Sequence, residues 1–176
     1  MRVKLIGNKA DKVIMNVRND EASASIPAGT PVILNLSTTA SASADGLGVV
    51  LPATAGDPLS FAAKYGVLTN TLAVGQYGET VLFGIVTNAL IARATRASST
   101  ASFSTYTTIA SGIGLGIDTV NNAFGSAGAS VAGIIASNAM MAILLDSLGS
   151  GTGSASTTSV TANTKYDTAR VFLRML

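Results

Sequence analysis

Short apolar runs with a period of two, cut by turn residues, dominate the chain. Val3 and Leu5 flank Lys4, and Val13, Met15 and Val17 alternate with Ile14, Asn16 and Arg18. Residues 1–20 therefore read as one or two short strands with charged outward positions. Pro27 and the Ala28-Gly29 pair mark a turn, after which Val32 to Leu36 form a short apolar strand. Residues 37–46 (STTASASADG) are a loop by composition, and Leu47 to Leu51 read as a strand closed by Pro52. A second turn over ATAGDP leads to apolar character from Phe61 to Leu68, around Lys64 and Tyr65. The clearest segment follows. Gly75-Gln76-Tyr77-Gly78 predicts a tight turn, with Glu79, Val81, Phe83 and Ile85 on one strand face and Thr80, Leu82, Gly84 and Val86 on the other. Leu90, Ile91, Arg93 and Arg96 continue it, and Glu79 reads as a solvated edge charge that discourages uncontrolled pairing.

The second half is less regular. Residues 97–108 (ASSTASFSTYTT) are rich in hydroxyls and read as an exposed loop or a polar edge strand. In Ile109 to Ile117, apolar Ile113, Leu115 and Ile117 alternate with Gly112, Gly114 and Gly116, which leaves one strand face flat for close approach of another backbone. Residues 118–150 are ambiguous, because Ala139 to Leu145 (AMMAILL) is apolar on both faces and suits a buried strand or a short core helix equally. The stretch SLGSGTGSASTTS reads as a linker or long hairpin loop. The chain closes on Ala169 to Leu176, a strand with Arg170, Phe172 and Arg174 on one face.

These elements predict a mainly β fold: a barrel or sandwich of short antiparallel strands, with at most one or two short helices. Residues 1–96 form a β-rich N-terminal lobe in this reading. Residues 97–176 form a second lobe, β-rich or α+β, and a single-domain reading stands beside it.

Composition narrows the function. At 176 residues and 48% apolar the chain can bury a sizeable core, yet only 11% of residues are charged, less than half the usual share. Ser, Thr, Ala, Asn and Gly take the place of charge, and such a surface repels its neighbours weakly. The net charge is +2, but the basic residues Arg2, Lys4, Lys9, Lys12 and Arg18 crowd the N-terminus beside Asp11, Asp20 and Glu21. No basic stripe is interleaved with aromatics, which argues against a nucleic-acid partner. With neither His nor Cys present, the commonest general base, the commonest strong nucleophile and thiolate metal ligands are missing. Asp45, Asp57, Glu79, Asp118, Asp146 and Asp167 are scattered singly, and Asp45-Gly46 and Asp57-Pro58 suit turns. Ser–Lys chemistry around Lys64 is formally open, but nothing arranges a nucleophile, a base and an oxyanion site. The expectation is no catalytic residue, no cofactor and no metal site, hence no enzyme. The glycines of GIGLGI lack the dinucleotide fingerprint.

The N-terminus shows no apolar stretch of about 7–15 residues of the secretory kind, so a full-length chain starts in the cytosol, with an internal export route still open. Residues 127–145 are the one run near bilayer-spanning length. They contain Ser130, Ser137 and Asn138 and lack basic flanks, which favours a buried core segment over a membrane span. What remains are candidate subunit contacts: Arg93, Arg96, Arg170 and Arg174, which suit surface solubility or inter-subunit bonding through their planar donor forks, and the flat glycines Gly112, Gly114 and Gly116.

The order IPAGTPVILN, then DGLGVVLPATAGDPLSFAAKYGVLTNTLAVGQYGETVLFGIVTNALI, then ARVFLRML resembles the head decoration, or cement, proteins of tailed bacteriophages. The resemblance covers residues 26–92 and the C-terminal strand, and its motifs are structural. It implies a virion protein, made in the host cytoplasm and added to the exterior of an icosahedral capsid. There it would bridge and stabilise subunits of the major capsid protein, as a homo-oligomer and by preference a trimer. An adhesive β-domain of a cell surface or fibre, with its Ser/Thr-rich loops on glycans, is the alternative. A small membrane-associated protein using 127–145 is a third.

Overall fold

In the computed structural model of the chain, residues 3–5, 12–35, 47–52, 65–92, 109–118, 122–126, 141–148 and 166–174 are described, and every element among them is a β-strand. These are β1 (Val3–Leu5), β2 (Lys12–Asn19), β3 (Pro31–Leu34), β4 (Gly48–Val50), β5 (Tyr65–Leu68), β6 (Tyr77–Ala92), β7 (Gly114–Asp118), β8 (Ala123–Ser126), β9 (Ala142–Leu144) and β10 (Tyr166–Leu173). The mainly β expectation holds. Loops 37–46 and 97–108, the ATAGDP turn, Phe61 to Lys64, the linker beyond Leu148, Arg93 and Arg96 lie outside the described residues. Of the ambiguous run 127–145, only Met141 to Leu145 is described, and it contains β9.

All strands join one ten-stranded sheet in the order β1-β2-β4-β3-β5-β6-β10-β9-β7-β8, with additional pairings β2–β6 and β6–β8. The additional pairings close the sheet on itself twice. One barrel-like circuit runs β2-β4-β3-β5-β6 and returns to β2, and the other runs β6-β10-β9-β7-β8 and returns to β6. A closed circuit of five strands cannot alternate direction throughout, so each needs a parallel seam. The seams are β2–β4, with two residue pairs, and β6–β8, where Ile91 meets Phe124. Parallel ladders are slightly weaker per residue, and both are short.

The 16-residue β6 serves both circuits. Tyr77 to Gly84 pair with β2, and Gly84 to Ala92 pair with β10, so the sequence-expected lobes 1–96 and 97–176 meet in a common strand. Register slips at two points along β6. Val13 faces Phe83 while Ile14 faces Val81, and Ala169 faces Ala89 while Val171 faces Val86. An extra residue bends and twists a strand, which closing small circuits requires.

The first bulge corrects the strict alternation expected of β6. Val81 does not share a face with Ile85: it is fully buried in the same cluster as Val86, while Ile85 is 48% exposed. Thr80 is buried as well. The tight turn also sits earlier than expected, at Ala73 to Gln76, where the Gln76 N–H donates to the Ala73 carbonyl at 3.0 Å. Glu79 is exposed, but β6 is no edge strand, since it pairs with β2 on one side and β5 on the other.

Apolar residues fill two clusters. The larger spans both circuits, from Ile14, Ile33, Val50, Val67 and Val81 to Leu115, Phe124, Leu144, Val171 and Leu173. The smaller gathers Met15, Val17, Val32, Val49 and Leu68 with Ile26 and Leu72. Neighbours such as Val32 and Ile33, or Val49 and Val50, enter different clusters. Burial on both faces is why β3 and β4 read as continuous apolar runs.

Two polar devices position the rest. Asn19 donates from Nδ2 to the carbonyls of Ala24 and Leu72, both at 3.0 Å, and its Oδ1 accepts from the Glu21 N–H at 2.9 Å. The Asn19 N–H and carbonyl bond Gln76 and Gly75, which fixes the turn ahead of β6. Buried Tyr65 on β5 turns its hydroxyl towards the carbonyls of Met141 and Arg174, the latter at 2.9 Å, and so ties the first circuit to the ends of β9 and β10. Burial pushes its phenol pKa up.

Candidate functional site

The face of the sheet turned away from the larger core, where β6, β10 and β9 run side by side, carries the most developed candidate. Register puts Gly84, Leu173, Ala142 and Leu115 in one cross-strand row and Val86, Val171 and Leu144 in another, and all of these are buried. Between the two rows lies a third, Ile85–Phe172–Ile143, on the opposite face. Ile85 is 48% exposed, and Phe172 and Ile143 are partly exposed. Phe83 extends this row, its ring 5.4 Å from that of Phe172 in an edge-to-face arrangement (76° between planes). Cross-strand aromatic and aliphatic pairs of this kind hold a sheet face in shape. The result is a firm apolar strip in contact with water.

Two arginines border it. Val171 and Leu173 point into the core, so Arg170, Phe172 and Arg174 share the outer face, as the alternation in the C-terminal strand predicts. Arg170 is engaged within the chain. Its Nη2 and Nε reach Asp146 Oδ1 at 2.7 and 2.9 Å, and its backbone N–H donates to Asp146 Oδ2 at 2.8 Å. These bonds from Arg170 hold the Asp146 carboxyl below its ordinary pKa. Arg174 is exposed, and no carboxylate among the described residues pairs with it. Arg170 therefore contributes a neutralised pair to this face, and Arg174 contributes a net positive charge.

Of the glycine candidates, Gly114 meets the strip, opposite Ile143 at the end of its row, and Gly112 and Gly116 fall elsewhere. Leu115 and Ile117 are core residues; Gly114 and Gly116 take the alternate positions of β7, opposite Ile143 and Gly125. Gly114 is half-buried and Gly116 is buried within the chain. Gly112 is exposed in the turn before β7, where its N–H donates to the Leu144 carbonyl at 2.7 Å. Sequence reasoning missed Ile143, because AMMAILL gives no period to separate faces. It missed the exposure of Ile85 because the bulge changes the phase of β6.

A second exposed apolar spot lies at the turn before β6, with Val74 49% and Tyr77 59% exposed. Arg18 stands over the Tyr77 ring at 5.9 Å and bonds Asp20 Oδ1 at 2.7 Å. Among the described residues no group of three or more His, Cys, Asp or Glu side chains could hold a metal ion. No helix among them is long and apolar enough to cross a membrane. Comparison with known proteins finds no family model that matches the chain, no matching curated protein and no matching solved structure.

Chemically, this surface can bind. It offers an apolar strip with two aromatic rings and a guanidinium fork, and aromatic residues and arginine are enriched at protein–protein interfaces.

Proposed function

We propose that this chain is a capsid decoration protein of a tailed bacteriophage. It binds the outside of the assembled shell as a homo-oligomer, bridges major capsid protein subunits and acts through contact area rather than turnover. The single observation that carries this reading is the water-facing, partly exposed Ile85–Phe172–Ile143 row beside Arg174, on a sheet closed in two circuits. The resemblance of residues 26–92 and the C-terminal strand to cement proteins adds the identity of the surface bound. Low surface charge supports it too, since 11% charged residues allow many copies to sit close together on a shell.

The mechanism is linkage. A ligand that binds only the expanded, assembled shell stabilises that state by mass action, without any covalent step. A firm, pre-shaped face loses little conformational freedom on docking, which favours affinity from a modest area. The test is sedimentation of purified chain with expanded shells of the phage that encodes it. The chain pellets with shells and saturates at a fixed number of copies per capsid subunit. A chain left in the supernatant at every shell concentration sinks the reading.

A further inference from the structure

The strip formed by Phe83, Ile85, Phe172 and Ile143 is bordered by one cation with no acidic partner among the described residues, Arg174. The neighbouring Arg170 is held by Asp146 through three hydrogen bonds, so it neither asks for nor repels an outside charge. The backbone beneath Arg174 is fixed from two sides. Its N–H donates to the Met141 carbonyl at 3.2 Å, and its carbonyl accepts from the Tyr65 hydroxyl at 2.9 Å. Its guanidinium thus projects from a defined point at the end of β10, two residues beyond Phe172. Burying an apolar strip drags its rim charge towards low dielectric, and that charge then needs an opposite one.

We infer that this face docks onto an apolar surface of the shell that carries a carboxylate placed to pair with Arg174. The inference rests on the decoration reading and adds to it the docking face and the chemistry of the partner. Phe83, Ile85, Phe172 and Ile143 supply the desolvated centre, and Arg174 supplies a forked, charge-assisted contact at the rim that sets orientation. Electrostatic complementarity of this sort also makes association sensitive to salt.

The experiment measures binding to expanded shells for the unaltered chain and for Ile85→Lys, Arg174→Ala and Arg174→Glu, at low and at physiological salt. Circular dichroism confirms that each variant is folded. Both side chains are exposed, so these substitutions leave the core untouched. Ile85→Lys weakens binding by at least about thirtyfold, the loss typical of a truncated hot spot. Arg174→Ala weakens it by about tenfold and flattens the salt dependence, and Arg174→Glu weakens it further at low salt through like-charge repulsion. If the unaltered chain does not bind shells, the decoration reading itself fails. Should it bind while all three variants bind equally well, the reading stands and this docking face is wrong. Loss of self-association by Ile85→Lys with undiminished shell binding also overturns the inference, because it assigns the strip to a second copy of the chain.

Discussion

Replacing Gly29 with alanine probes the joint between the two circuits. Gly29 sits in the turn before β3 with φ +79°, and the Leu90 N–H donates to its carbonyl at 2.9 Å while its own N–H donates to the Leu68 carbonyl at 2.9 Å. It therefore clamps the second half of β6 to the strands of the first circuit. A Cβ there would overlap the Asn88 carbonyl oxygen and stand 3.2 Å from the Asn88 carbonyl carbon and 3.3 Å from the Leu90 nitrogen. These are backbone atoms of a paired strand, so no side-chain rotation relieves the clash. Left-handed backbone costs an alanine about 1–2 kcal/mol. Displacing β6 enough to admit the methyl group also strains or breaks the Leu90 bond, and an unmade buried hydrogen bond costs about 1–3 kcal/mol. The sum is about 2–5 kcal/mol, a large part of the 5–15 kcal/mol or so that holds a typical domain together.

Gly75→Ala is the matched control. Gly75 has φ +74° but nothing within 4 Å of the added Cβ, so it reports the conformational cost alone. Urea unfolding at 25 °C, followed by circular dichroism and tyrosine emission because the chain has no tryptophan, gives both losses. Gly29→Ala should lose about 1–3 kcal/mol more than Gly75→Ala. Equal losses for the two would refute the claim that Gly29 is a point of backbone contact between the circuits.

Other expectations are simpler. Tyr65→Phe removes the hydroxyl that bonds the Met141 and Arg174 carbonyls, and should cost about 1–3 kcal/mol at neutral pH. Because burial raises the folded-state phenol pKa, the unfolded chain ionises first: stability is complete below about pH 10 and falls as pH rises above it. Tyr65→Phe should remove that alkaline slope, and an unchanged slope in pH-dependent unfolding would count against it. The Thr80 hydroxyl is buried without a partner among the described residues, so Thr80→Val should be neutral or stabilise by about 1 kcal/mol in the same unfolding assay. Arg170 holds the Asp146 carboxyl below its ordinary pKa. An NMR titration should show this low midpoint and its return to the usual range in Arg170→Ala, with the pair's contribution present above that range and lost as pH falls through the lowered midpoint.

Much of the architecture is legible in the residues, and what is not has physical causes. Alternation around Arg170, Phe172 and Arg174 fixes the facing of β10 because Val171 and Leu173 have no reason to face water. Leu115 and Ile117 reveal the core face of β7 in the same way. Alternation fails on β6, where a bulge opposite Val13 and Ile14 carries Val81 inward and leaves Ile85 outside. A bulge is a tertiary device for closing a small circuit, and no local pattern announces it. Pairing of β6 with strands from both halves of the chain is equally silent, since long-range register depends on which faces end up buried. The binding strip needed both facts, plus Ile143 from a run with no period. Its C-terminal border, Arg170 to Arg174, the shared facing of Phe83 and Ile85, and Gly114 opposite Ile143 could be read in advance.

The most direct test of the account is calorimetric melting of expanded shells with and without the chain at saturation. Binding confined to the assembled state predicts that the shell transition moves to higher temperature as chain is added and stops moving once the sites are full. A transition that stays where it is, with the chain demonstrably bound, would contradict the claim that this protein works by holding a shell together.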